Sequence, residues 1–111
     1  MANITARAFH ARNFKSTAGE SLLIDNTVGG IALTPAVYGA AKYALITVEI
    51  ANIRVTADGS PPNNTTRNGH IVKPVDTIEI DSAEDIAAFR ALRAGAVNAH
   101  IYATYSDIKL T

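Results

Sequence analysis

The chain contains no cysteine and no tryptophan, and its formal net charge is zero. Without cysteine there is no disulfide scaffold, no thiol nucleophile and no cysteine-ligated zinc, and the redox compartment cannot be read from the sequence. Ten basic residues offset ten acidic ones, a balance that argues against a nucleic-acid binder held by a broad positive field. No apolar run approaches the ~20 residues a membrane span requires. The opening MANITARAFHARNFK lacks the apolar stretch of a secretory signal. A soluble protein made in a cytoplasm, without membrane or nucleic-acid partners, is the expectation.

What remains is an apolar chain of one-domain size. Of 111 residues 48% are hydrophobic, enough for a packed globule rather than a disordered segment. Residues 1–19 mix apolar and basic positions without a period and read as an extended N-terminal arm; residues 20–111 read as the domain. In SLLIDN, Leu22 and Ile24 share one side of a strand. The glycine pair of TVGGIALTP precedes a second short strand holding Ile31 and Leu33, ended by Pro35. AVYGAAKY is a loop or at most one helical turn.

The strongest alternation is ALITVEIANIRVTADG. Ala44, Ile46, Val48 and Ile50 lie on one face, with Thr47 and Glu49 opposite. Ile53 and Val55 then take the other parity, which predicts one bent strand or two strands meeting at a corner near Ala51 and Asn52. HIVKPVDTIEIDS predicts two short strands broken at Pro74, with Ile78 and Ile80 inward. SAEDIAAFRALRAG has a capping serine, Ser82, followed by helix formers. A helical turn over 82–87 and then a strand is predicted, with a full helix to Ala94 as the alternative. NAHIYATYSD is the last strand, with Ile101, Ala103 and Tyr105 on one face. The pattern gives an all-β fold: a single compact antiparallel β-sandwich, jelly-roll-like, with the N-terminal arm and at most one short helix.

Chemical motifs are scarce. His10, His70 and His100 have no metal-ligand spacing, so surface or rim histidines are the preferred reading and no metal is expected. The acids of DTIEIDSAED alternate with Ile78 and Ile80 and lack the glycine of a calcium loop, as an acidic outer strand face would. No serine lies in a Gly-x-Ser-x-Gly elbow, and no glycine-rich phosphate loop with a lysine is present. Neither catalysis nor a cofactor is expected. Two features invite a partner instead. Arg7, Arg12 and Lys15 form a basic arm, and Asp81, Glu84 and Asp85 belong to an acidic segment; solvated faces explain both, but the two also suit contact between neighbouring copies. In TADGSPPNNTTRNGHIV the turn is set by Asp58-Gly59 and stiffened by Pro61-Pro62. Asn63, Asn64 and Arg67 then fall in a loop expected to project and touch a partner.

From Ala44 to Asp107 the order of features resembles small structural proteins of tailed bacteriophages. The resemblance is carried by TVEIANIRVTADGSPP, GHIVKPVDTIEIDS and DIAAFRALRAGAVNAHIYATYSD. Within them Glu49, Ile53, Arg54, Asp58, Gly59, Gly69, Ile86, Phe89, Arg90 and Tyr105 occupy the matching positions. The resemblance implies a virion protein that decorates or cements the capsid, with the major capsid protein or other virion proteins as partners and a homo-oligomeric state. It also implies that Phe89 to Arg93 forms a hairpin with Asn98 to Tyr105. A neck or tail adaptor or stopper is the alternative within the particle. A carbohydrate- or receptor-binding module using the polar loop and Tyr102 or Tyr105 is the alternative from another class.

Overall fold

The structure is a computed structural model, and it describes residues 18–107. Eight strands form two antiparallel sheets: β1 (Ala18–Ile24), β2 (Ile31–Ala32), β3 (Tyr43–Glu49), β4 (Ile53–Thr56), β5 (His70–Val72), β6 (Thr77–Ile80), β7 (Arg90–Arg93) and β8 (Ala99–Ser106). The order is β1-β8-β3-β6 in the first sheet and β2-β7-β4-β5 in the second. First pairs with last, second with seventh, third with sixth and fourth with fifth. The chain is therefore wound as a folded antiparallel ribbon, and every connection except β4 to β5 passes between the sheets.

The parity change near Ala51 now has a cause. β3 belongs to the first sheet and β4 to the second, so the two strands meet at a corner and each turns its own apolar parity inward. Ala44, Ile46, Val48, Ile101, Ala103 and Tyr105 from one sheet join Ile53, Val55 and Ala91 from the other in one buried cluster. Each fully buried Ile or Val in it contributes about 1.5–3 kcal/mol of burial free energy. Ile50 departs from the expected core face: it lies beyond the end of β3 and is exposed.

Two short helices occur among the described residues, against the expectation of at most one. α1 (Pro35–Tyr38) is a single turn with proline in its first turn, where the missing N–H costs nothing. α2 (Ala83–Ala88) is capped by the Ser82 side chain, which accepts from the Asp85 N–H, and carries Glu84 and Asp85 in its first turn. Carboxylates there offset the exposed helix N–H groups. Ile86 and Phe89 anchor the segment in the core, and the chain turns extended at Phe89, where φ is -62° and ψ 134°. The turn-then-strand expectation for 82–94 holds. The pairing differs from the implied hairpin: β7 pairs with β2 and β4, while β8 pairs with β1 and β3. No hairpin joins β7 and β8, because the connection between them switches sheets. The first strand begins at Ala18, inside the stretch assigned to the arm. Arg7, Arg12 and Lys15 lie outside the described residues.

Candidate docking surfaces

The polar loop after β4 is held down onto the second sheet. Gly59, with φ of 84°, makes the turn, and the Asp58 carboxylate accepts from both the N–H and the hydroxyl of Ser60. Those bonds to Ser60 lower the Asp58 pKa from its ordinary value. The chain then crosses toward β2 and β7. Pro62 is buried, so close to Gly30 that a Cβ there would come within 2.9 Å of the Pro62 ring. Asn63 and Asn68 exchange backbone hydrogen bonds, closing a small hairpin. The Asn63 Oδ1 accepts from the N–H groups of Thr65 and Thr66, fixing its tip.

Asn64 ties this hairpin to the sheet. Its Oδ1 accepts from Arg54 Nε at 2.9 Å, and its Nδ2 donates to the Arg93 carbonyl at 2.9 Å. Arg54 also donates to the Gly69 carbonyl. Gly69 has φ of 116°, and a Cβ there would meet Arg54 and the Val55 carbonyl at 2.8 Å. The five side chains of NNTTR thus divide. Asn63 and Asn64 hold the loop in place, while Thr65, Thr66 and Arg67 lie exposed on its outside.

The other predicted residues are brought together in part. A shallow groove of about 230 Å³ opens between the β5 and β6 edges, floored by Val55, Ile78, Ile80 and Phe89 and flanked by Glu79, Asp81, Asp85 and His70. Arg67 lines an adjoining depression with Asp58, Asn68 and His70. Asp81, Asp85 and Arg67 therefore border neighbouring concavities beside the β5 and β6 edges. Asn63, Asn64 and Glu84 line neither. Among the described residues, no three His, Cys, Asp or Glu side chains are grouped to hold a metal ion.

One polar contact between remote segments escaped sequence reasoning. Glu20 lies on the inward parity of β1 and accepts from the Tyr105 hydroxyl at 2.6 Å and from the Thr34 N–H at 3.0 Å. Tyr105 is fully buried, with the Tyr38 ring edge-on to it at 5.9 Å. Burial first, then the hydrogen bond to Glu20 and its charge, push the Tyr105 hydroxyl above its ordinary pKa. The contact fastens β1, β8 and the start of α1 together. A buried Tyr105 presents no ring to a sugar; Tyr102, on the outer face of the same strand, is exposed. No family model, curated protein or solved structure matches the chain.

Proposed function

We propose that the protein is a structural component of a tailed-phage virion that decorates or cements the capsid through protein contacts, without catalysis. The observation that carries this reading is the strand order β1-β8-β3-β6 over β2-β7-β4-β5. We read that order as the winding of a jelly roll, an architecture used by viral capsid domains and lectins. The resemblance over residues 44–107 points the same way. The mechanism is burial of surface at junctions between capsid subunits, which stabilises a shell by contact alone.

Two surfaces serve this role. The groove flanked by Glu79, Asp81 and Asp85 offers acids to the basic arm of Arg7, Arg12 and Lys15 on a neighbouring copy, with the entropy of ordering that arm opposing the contact gain. Thr65, Thr66 and Arg67 face outward from a loop that Asn64 holds rigid, so their contact carries little ordering cost. The sugar-binding alternative keeps only Tyr102 of its two rings. The test is co-sedimentation with capsids that lack the protein. Wild type is expected to bind; removal of residues 1–15, or replacement of residues 62–67 by a short Gly-Ser turn, is expected to weaken binding while the domain stays folded. Wild type that fails to bind capsids would refute the reading.

A further inference from the structure

Four connections leave the sandwich at the same end: β1 to β2, β3 to β4, β5 to β6 and β7 to β8. The registers require this, since Ile24 lies opposite Ala99, Glu49 opposite His100, and Ile53 opposite both Val72 and Arg93. Each connection places one β-branched apolar side chain in solvent: Val28 at 98% exposure, Ile50 at 64%, Val75 at 78% and Val97 at 58%. These connections are fastened to their neighbours by backbone bonds. Arg93 donates to the Asp25 carbonyl, Ala94 to the Asn52 carbonyl and Val75 to the Val48 carbonyl. Ala51, Ala94, Ala96 and Val97 line a shallow groove between two of the loops.

Two of the four residues are held in a backbone conformation that opposes their chemistry. Ile50 has φ of 81° and Val75 φ of 66°, a region costly for β-branched residues. At Ile50 the Ala51 N–H donates back to the Glu49 carbonyl, the positive-φ form of γ-turn. Lys73-Pro74-Val75-Asp76 closes through Asp76 N–H to the Lys73 carbonyl. Proline precedes Val75 there, at the position where a type II turn calls for glycine. Glycine would be easier at both sites and would remove the exposed apolar group. The chain carries strain and exposed apolar surface together.

We propose that this four-loop end is a self-docking face, at which a second copy of the chain packs end to end across a two-fold axis. Isologous pairing needs a patch complementary to itself. Asp25, Glu49 and Asp76 lie in or beside the same four connections as the basic Lys73 and Arg93, so both signs are available on each copy and opposite charges can meet across the axis. A lipid surface fits poorly, because interfacial anchors use tryptophan, tyrosine and clustered basic residues. Four exposed aliphatic side chains make a small face, below the ~1,000 Å² that a stable specific interface needs, so the association is weak, with an expected dissociation constant on the order of 10⁻⁴ M.

The inference does not depend on the virion reading, since it concerns the isolated chain. Sedimentation equilibrium of the full chain from about 10 µM to about 1 mM should show a reversible monomer–dimer equilibrium, and small-angle scattering should show an end-to-end dimer. Val28→Ser/Val97→Ser, two exposed positions away from the strained turns, should weaken association at least about tenfold. Tyr102→Ser on the outer face of β8 should leave it unchanged. A wild-type chain that stays monomeric at about 1 mM would overturn the proposal. So would a dimer that the Val28→Ser/Val97→Ser variant retains, or scattering that fits strands joined edge to edge.

Discussion

Ile50 and Val75 show how single residues depart from what local chemistry favours. Both sit at positive φ, where a β-branched side chain crowds the backbone and glycine does not. Val75→Gly is expected to raise stability by about 0.5–1 kcal/mol, a shift of ~3–6 °C, because the relieved strain exceeds the extra chain entropy of glycine. Thermal unfolding checks this, and an unchanged or lower midpoint would mean that the turn stores no strain. Tyr105 behaves in the opposite sense, since its surroundings suit it. Tyr105→Phe is expected to cost about 1–2 kcal/mol through the loss of a buried bond to a carboxylate. Its raised pKa has a definite sign: the stabilisation is complete below the unfolded tyrosine value of 10.0 and fades as pH rises above it. Phenylalanine at 105 should therefore flatten the alkaline limb of the stability curve. Asp25 and Asp58 work at the other extreme. Hydrogen bonds from Thr27 and Ser60 lower their pKa values, so their contribution is present above the ordinary carboxylate value and is lost as pH falls below it. None of the long-range contacts was legible in the sequence. Glu20 and Tyr105 are 85 residues apart, and no local period marks a carboxylate that faces inward.

At the scale of elements, the strands were readable and their partners were not. Alternation located β3, β4, β6 and β8, because a strand with one buried face must alternate. Ser82 marked the start of α2 for the equally local reason that its hydroxyl satisfies a helix N–H. Pairing is a property of the winding. Neighbouring strands usually pair, which favours a β7–β8 hairpin, but here the first strand pairs with the last and only β4 and β5 pair in succession. The loop between β4 and β5 shows the same limit. Its turns could be read from Asp58-Gly59 and the prolines, whereas its attachment to β7 depends on Asn64 reaching a carbonyl 29 residues away. Asn64→Ala should cost about 1 kcal/mol and loosen the loop without unfolding the domain. Faster amide exchange at residues 60–69 with unchanged protection in β3 and β8 would bear this out; unchanged exchange in the loop would show that Asn64 does not hold it.

For the whole molecule, composition and alternation implied an all-β domain, and two four-stranded antiparallel sheets are what it forms. The winding leaves the helices and the acidic groove at one end and four short loops bearing Val28, Ile50, Val75 and Val97 at the other, with the polar loop laid along the second sheet as far as Arg93. A molecule with two unlike ends suits assembly: one end for a shell or a neighbouring arm, the other for a second copy. That is the proposed role, and the residues of the resemblance bear on it only indirectly. Ile53, Ile86, Phe89 and Tyr105 are core residues, and Arg54, Gly59 and Gly69 shape the loop; in this chain they serve packing and turn geometry rather than a partner surface. The most direct measurement of the proposed role is the position and copy number of the protein in purified virions, by cryo-electron microscopy with quantitative mass spectrometry. The expected result is density on the capsid surface at a copy number comparable to that of the major capsid protein. Six or twelve copies at the neck, or none in the particle, would contradict it.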